Sequence, residues 1–256
     1  MPLIEDMERT GAWLFRWRSF LPVFIVPAAL YVSYIDDNDP AFNDPRWLAI
    51  CLGVGFLGQI VRAFTIAYVP KGTSGRNTSE GQVAMTLNTT GMYGYIRHPL
   101  YTGNFFMWLG ILLLTGNWIF TTAISIAFWV YYTLIAMTEE RFLRNKFGDT
   151  YLDWASGIPA FFPLTYKWKS PGEFFSFRNV LKREYNGAFA MVLSYVAVNT
   201  AHSLREGMSS GLDWQEAILP IPIMQTFLTF SAIAFLLLRF LKKRTKLLDV
   251  EGREYT

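Results

Sequence analysis

The sequence predicts an all-α protein, a polytopic membrane helix bundle of about six transmembrane helices with both termini cytoplasmic. Three observations predict it: a composition poor in charge, long stretches almost without charged residues, and a one-sided distribution of Lys and Arg. Charged residues make up 17% of the 256 residues and apolar residues 52%, whereas soluble domains carry about 25% charged residues. The net charge of +3 is too small to indicate a nucleic-acid-binding protein, so no nucleic-acid partner is expected.

Five stretches have almost no charged residues. A helix needs about 20 mostly apolar residues to cross the hydrocarbon layer of a membrane, and the second and fifth stretches reach that length. The third is about twice as long, and its Thr115-Gly116-Asn117 predicts a tight turn between two antiparallel helices. The first and fourth stretches are short for a span, and the fourth stretch, which would be the fifth span, is the weakest of the six. In chain order, the stretches are Ser19–Ile35, Trp47–Val69, Leu100–Met137, Gly187–Ser203 and Ala217–Leu238.

The 23 Lys and Arg residues give independent evidence, because basic residues concentrate in cytoplasmic loops. If six spans alternate in direction, Arg46 and Arg205 lie on one side, Arg62 lies within the second span, and all the others lie on the opposite side. We therefore expect an integral multi-pass protein of a bacterial inner membrane or the endoplasmic reticulum. The basic cluster Lys242–Lys246 is expected to anchor the C-terminal tail against anionic lipid.

Two connections on the predicted cytoplasmic side carry candidate functional side chains. The first ends in Arg97-His98-Pro99, and Pro99 suits the first turn of a helix, so Arg97 and His98 lie where the third span begins. The positive end of that helix favours an anion. The second connection begins with Glu139-Glu140 at the inner end of the fourth span. Because the third and fourth spans form a hairpin, we expect His98 and Glu139 to be close, and the cluster suits a zwitterionic ligand with aromatic parts.

These residues form motifs that resemble a known family. Two runs, in the same order and spacing, are similar to the integral-membrane methyltransferases, which include isoprenylcysteine carboxyl methyltransferases and phospholipid methyltransferases. The resemblance covers about Val83 to Pro163 and includes the proline-bounded Gly157-Ile158-Pro159-Ala160-Phe161-Phe162-Pro163. The two runs are Gly91-x-Tyr93-x-x-x-Arg97-His98-Pro99-x-Tyr101-x-Gly103 and Glu139-Glu140-x-x-Leu143-x-x-x-Phe147-Gly148-x-x-Tyr151.

The resemblance divides the chain into three parts. Residues 1–46 are an N-terminal segment with the first span, and residues 47–168 are a methyltransferase-like core with the cofactor loops. Residues 169–256 are a C-terminal extension of two spans with a basic tail. The first, fifth and sixth spans carry no resemblance, so neither the identity of the acceptor nor the oligomeric state is predicted.

The resemblance implies S-adenosyl-L-methionine as the methyl donor. It also implies methyl transfer at the cytoplasmic face to a membrane-embedded lipid acceptor that enters from the bilayer. That acceptor is a lipid head group or a prenylated or lipidic carboxylate. Glu139 would hold the positive amino group of the donor, and we add Arg97 as a partner for its carboxylate. The residues that would line the donor are Tyr93, His98, Pro99, Leu100 and Tyr101.

The reaction itself demands little from side chains. Methyl transfer from a sulfonium is an in-line displacement, so positioning and water exclusion carry most of the catalysis. Only an acceptor that must lose a proton needs a base, and His98 or Glu140 are then the candidates. No metal site is expected.

One arginine and one departure from the family bear on the acceptor. Arg62, inside the second span, is a snorkelling arginine or a contact to an acceptor head group or to a buried carboxylate, and we predict it to bind substrate. Isoprenylcysteine-type members place a substrate-contacting arginine one helical turn before the Glu, where this chain has Ile135. A farnesyl-cysteine carboxylate acceptor therefore lacks its usual partner.

Two other functions compete with methyl transfer. NADPH-dependent sterol-type membrane reductases resemble this chain in an Arg-His-x-Asn-Tyr sequence before a span, but here Pro99 and Leu100 precede Tyr101 and the Asn is missing. A non-enzymatic membrane scaffold or transporter predicts polar groups that meet near the bilayer midplane, whereas these motifs gather at one interface.

Overall fold

The computed structural model describes residues 3–18, 20–36, 44–69, 76–78, 81–163 and 169–251. Within them the chain is helical apart from one short antiparallel hairpin, β1 (Arg76–Thr78) with β2 (Gly81–Val83). The all-α prediction is therefore confirmed, while the core boundary predicted at residue 168 lies outside the described residues. The helices are α1 (Leu3–Trp17), α2 (Ile25–Ile35), α3 (Pro45–Ala67), α4 (Pro99–Leu114), α5 (Trp118–Phe147), α6 (Asp149–Ser156), α7 (Phe177–Ser209), α8 (Trp214–Ala217) and α9 (Pro222–Arg244).

Several of these helices are long and apolar enough to cross a membrane, which makes this a multi-pass membrane protein. In the described residues α3, α5 and α9 meet that criterion singly, and a pair bent by 69°, Arg9–Trp17 with Pro22–Ile35, meets it together. The apolar helix α4 has 16 residues and is shorter than a full span. The fourth apolar stretch lies inside the 33-residue α7, which also carries charged residues. The count of six spans and the orientation of the termini remain predictions.

The predicted hairpin between the third and fourth spans is confirmed. α4 ends at Leu114 and α5 begins at Trp118. Gly116 takes a positive φ of 71°, a conformation that glycine adopts without steric cost. The Asn117 side chain caps α5 by accepting the backbone N–H of Phe120 at 2.8 Å, as an N-cap residue does. This turn brings the far ends of α4 and α5 together.

Glycines let α3 approach α4 and α7 closely. A Cβ at Gly58 would collide with the backbone carbonyl of Gly103 on α4, and a Cβ at Gly110 would collide with the hydroxyl of Tyr195 on α7. That hydroxyl donates to the carbonyl of Cys51 on α3 at 2.6 Å. The buried core around this crossing joins α2, α3, α4, α7 and α9. The backbones of α3 and α4 are thus fixed beside each other along the length that carries the site.

We expect Gly58→Ala and Gly53→Ala, both in α3, to change stability in opposite directions. The new methyl group at position 58 would overpack the α3–α4 crossing, which costs about 1–3 kcal/mol. A Cβ at Gly53 meets no atom within 4 Å, so that variant keeps only the helix-propensity gain of up to about 1 kcal/mol. Thermal unfolding of the detergent-solubilised protein measures both, and equal melting temperatures for the two variants would contradict the close crossing.

Candidate functional site

The candidate site lies where α4 begins and where α5 leaves its apolar stretch. Pro99 is the first residue of α4 and His98 is its N-cap residue, as predicted. The His98 ring is buried, with 6% of the residue exposed, and its Nδ1 lies 3.6 Å from Glu139 Oε2. The predicted proximity of His98 and Glu139 is therefore confirmed.

Glu140, the next residue on α5, is the main partner of the first motif. Its Oε1 accepts from Arg97 Nε at 2.7 Å, and its Oε2 accepts from Arg97 Nη2 at 3.4 Å. His98 Nε2 lies 2.9 Å from the same Oε1, within hydrogen-bond distance. One carboxylate thus bridges the guanidinium and the imidazole, and charge-assisted bonds of this kind are the stronger hydrogen bonds in proteins. This bridge joins the start of α4 to α5.

Arg97 also holds the proline-bounded segment named in the sequence analysis. Its Nη1 donates to the carbonyls of Ala155 at 3.0 Å and Ile158 at 2.6 Å. The backbone N–H of Arg97 donates to Pro159 O, and the backbone N–H of His98 donates to Ala160 O, both at 2.9 Å. Most donors of Arg97 are therefore committed within the protein. The predicted contact of Arg97 to the carboxylate of the methyl donor remains a prediction, and Arg97 has few N–H groups left to make it.

Tyr101 fixes the other carboxylate. Its hydroxyl donates to Glu139 Oε2 at 2.9 Å, and its ring is parallel to that of His98, with centroids 5.4 Å apart and an interplanar angle of 10°. On the other side it contacts the Tyr132 ring, with centroids 4.7 Å apart. These contacts orient Glu139, whereas Glu140 is engaged by Arg97 and His98. The two adjacent carboxylates therefore have different surroundings.

All the predicted site residues line a single cavity of about 1100 Å³. Ligand pockets usually have a volume of about 300–1,000 Å³, so this cavity has room for more than one small molecule. The predicted residues in its wall are Arg62, Tyr93, Arg97, His98, Pro99, Leu100, Tyr101, Glu139 and Glu140. The structure brings them together, but it does not assign their roles.

Arg62 reaches this cavity from α3 and is paired with a carboxylate from far along the chain. Its Nε and Nη2 donate to the two carboxylate oxygens of Glu184 on α7, each at 2.7 Å, and its Nη1 donates to Asn104 Oδ1 at 2.6 Å. Gln59 Nε2 also donates to Glu184, at 3.0 Å. Of the interpretations weighed for Arg62, the contact to a buried carboxylate is the one that the structure shows. Substrate binding by Arg62 remains a prediction.

Trp154 and Tyr151 also line the cavity, and neither was assigned to the site from the sequence. Trp154 on α6 donates its indole N–H to the carbonyl of Tyr93 at 3.1 Å. Tyr151, in the first turn of the same helix, is 3% exposed, and its buried hydroxyl has no well-formed hydrogen bond. Burial raises the pKa of the Tyr151 phenol, and the nearby Glu140 carboxylate raises it further, so the phenol keeps its proton. Tyr151 was part of the second motif, which was the available signal.

Arg18 enters the cavity wall from the N-terminal part of the chain. It directly follows α1, which packs on α5 where Gly11 faces Thr138 and the carbonyl of Leu134. The Arg18 guanidinium carbon lies 3.8 Å from the centroid of the Phe15 ring, a cation–π arrangement. The predicted N-terminal part therefore contributes to the site, although nothing in its sequence indicated this. Among the described residues no group of three or more metal-ligating side chains occurs.

One protein family and several individual proteins are similar to parts of this chain. Residues 47–150 match the phospholipid methyltransferase family. Over 114 residues the chain is 35% identical to the protein-S-isoprenylcysteine O-methyltransferase of Schizosaccharomyces pombe, covering 44% of this chain and 48% of the relative. It is 26% identical over 163 residues to the enzyme of the same name from Xenopus laevis, covering 63% and 52%. The cobalt-zinc-cadmium resistance protein CzcN of Cupriavidus metallidurans is 32% identical over 121 residues, covering 47% and 53%.

These matches confirm the resemblance to the integral-membrane methyltransferases, and the family match covers most of α3 and all of α4 and α5. The chain spans about half the length of the curated relatives it matches. No solved structure matches it significantly.

We expect Arg97→Ala to loosen the proline-bounded segment without unfolding the bundle. The change removes two bonds to carbonyls and leaves Glu140 without its guanidinium partner, and a hydrogen bond to a charged group contributes about 1.5–3 kcal/mol. Hydrogen exchange of the Arg97-His98 and Gly157-Ile158 backbone amides should accelerate at least tenfold, read by mass spectrometry of peptides. The matched control is Arg144→Ala, at an exposed position of α5. Unchanged exchange in the Arg97 variant would show that this clamp is not needed.

Proposed function

We propose that the protein transfers a methyl group from S-adenosyl-L-methionine to a membrane-embedded lipid acceptor at the cytoplasmic face. The carrying observation is that the first-motif residues and Glu139 line one cavity at the junction of α4 and α5. The relatives named protein-S-isoprenylcysteine O-methyltransferase support methyl transfer as the reaction.

The side chains that line the cavity fit this methyl donor. Glu139 is a carboxylate with 20% of its side chain exposed, oriented by Tyr101, and it suits a positive amino group. The start of α4 and the remaining N–H of Arg97 suit a carboxylate. Aromatic surface for the aromatic ring of the methyl donor comes from Tyr93, Tyr101 and Trp154.

The bound donor would supply an electrophilic methyl group on a sulfonium. The residues of the chain bind and orient: Glu139 holds one end of the donor, and the His98 and Tyr101 rings form the adjoining wall. The segment clamped by Arg97 packs beside the start of α4 and would help to exclude water from the cavity. Holding two reactants in reacting geometry and excluding water are sufficient for this displacement.

The surroundings of Glu140 favour an acceptor that needs no base. A carboxylate that accepts from both Arg97 and His98 is stabilised as the anion, so taking a proton would weaken those bonds. His98 faces Glu139 and Glu140 with its two ring nitrogens. Both candidate bases are thus engaged in positioning, which supports their binding roles over proton removal.

The position of the basic residues supports the cytoplasmic placement. Lys242, Lys243 and Arg244 lie in the last turn of α9. Lys182 Nζ, early in α7, pairs with Asp249 Oδ1 at 2.6 Å. Lys182 lies two residues before Glu184, which contacts Arg62. The basic end of α9 and the polar part of the cavity therefore lie at the same end of the bundle. Basic residues concentrate on the cytoplasmic side of a membrane protein. Contact of the Lys242–Lys246 cluster with anionic lipid is part of the same proposal.

Binding of labelled S-adenosyl-L-methionine to the purified protein tests the donor half of the proposal. We expect Glu139→Gln and His98→Ala each to weaken binding at least tenfold, because a charge-assisted contact contributes about 1.5–3 kcal/mol. The matched control for Glu139→Gln is Glu216→Gln, on the exposed helix α8, which should bind like the wild type. If the two site variants retained full binding, or the wild type bound no donor, the proposed function would be refuted.

A further inference from the structure

The cavity continues well past the polar cluster. Its wall on α4 runs from His98 to Ile111 by way of Met107 and Trp108. Thirteen residues of helix extend about 20 Å, which is two thirds of the roughly 30 Å hydrocarbon core. The far part therefore lies at membrane depth and has apolar walls, so it suits an apolar chain and not a second polar ligand.

One face of α7 forms the wall opposite. It lies within the apolar stretch Gly187–Ser203, and most of its members are small, so the space beside the helix stays open. None of them belongs to residues 47–150, the part that matches the family. The α7 residues that line this part of the cavity are Gly187, Ala190, Met191, Leu193, Ser194 and Ala197.

The cavity opens sideways between α2 and α7. Val23, just before α2, and Leu193 on α7 both line the cavity, yet they are 58% and 48% exposed. Further along, α2 and α7 close on each other in the core that contains Ala29 and Val196. An apolar cavity whose rim side chains face the bilayer is a lateral entrance for a lipid chain.

Between the polar end and this apolar part lies a group of hydrogen-bond donors. Arg62 is held there by Glu184 of α7. The Asn104 side-chain carbonyl accepts from Arg62 at 2.6 Å, and its amide donates to the hydroxyl of Tyr132 at 3.1 Å. The Tyr132 hydroxyl accepts that bond and so retains its own proton for another partner. Arg62, Asn104 and Tyr132 all line the cavity, and this arrangement favours a ligand group that accepts hydrogen bonds.

We propose that α7 selects the acceptor: its small-residue face and the rim at Val23 and Leu193 admit the chain of a long-chain lipid, and Glu184 sets Arg62 to receive an oxygen-bearing head group. This rests on the proposed methyl transfer. The acceptor oxygen forms a bond to the methyl carbon while the carbon–sulfur bond breaks, and that electron pair stays on sulfur as the sulfonium becomes a thioether. An anionic oxygen is neutralised in the process and releases no proton, in keeping with the engaged state of Glu140 and His98.

Large side chains in the entrance test the channel. The full-length protein is reconstituted in vesicles of total membrane lipid from the source cells, supplemented with N-acetyl-S-farnesylcysteine. Labelled methyl groups in the lipid fraction are counted and products are identified by mass spectrometry. Ala190→Phe and Leu193→Trp should lower methylation at least tenfold. Their matched controls on α9, Ala234→Phe and Leu237→Trp, should stay within twofold of the wild type, since none of the four positions is buried.

Donor binding separates failure of this proposal from failure of the proposed function. All four variants should bind S-adenosyl-L-methionine within twofold of the wild type. If Ala190→Phe and Leu193→Trp methylated lipid like their controls, α7 would not be the acceptor's path. A wild type that bound the donor and methylated no lipid would also overturn the lipid channel, whereas a wild type that bound no donor would refute the methyltransferase itself.

The role of Glu184 is one of positioning and has its own readout. Glu184→Ala should raise the acceptor KM at least tenfold and change kcat less, with donor binding unchanged, because Arg62 loses its two fixed bonds. Glu184→Asp, which keeps the charge, should recover part of the affinity. If kcat and donor binding fell together and the Asp variant gave no recovery, the pair would hold the fold and not the acceptor.

Discussion

One carboxylate organises the site. Glu140 on α5 accepts from Arg97 and lies within hydrogen-bond distance of His98, so the start of α4 is tied to the end of the apolar stretch of α5. Through Arg97 the same bridge reaches the carbonyls of Ala155 and Ile158. The Arg97–Glu140 pair is partly buried, and removing one partner would leave the other without its compensating charge. The same bridge holds His98, whose ring packs parallel to that of Tyr101, and the Tyr101 hydroxyl in turn orients Glu139.

With the bridge in place, the two neighbouring glutamates divide the work. Both line the cavity, but Glu140 is held by Arg97 and His98, whereas Glu139 is oriented by Tyr101. Successive residues on a helix point about 100° apart, so two adjacent carboxylates serve two different directions. A carboxylate held by internal partners and another left for a ligand give a preorganised site, in which binding requires little rearrangement.

The sequence was sufficient for the local parts of this arrangement. Thr115-Gly116-Asn117 predicted the hairpin, Pro99 predicted the start of α4, and together they placed His98 near Glu139. Which of two adjacent glutamates contacts His98 depends on helix rotation, and loop patterns do not encode it. The partner of Arg62 could not be predicted either, because Glu184 follows it by 122 positions and lies in the part of the chain without family resemblance. A buried arginine requires a carboxylate, but only tertiary packing identifies which one.

The long separation between Arg62 and Glu184 has a consequence for how the protein is made. Ribosomal synthesis delivers α3 to the membrane before α7 exists, so α3 is inserted while its guanidinium has no carboxylate beside it. On the scale of insertion experiments, an arginine at the centre of a helix costs about 2.5–3.5 kcal/mol, and Arg62 lies nearer to one end of α3. The apolar remainder of α3 offsets that cost. Arg62 therefore reaches its final position only when α7 docks, and the order of biogenesis makes the cavity a late product of assembly.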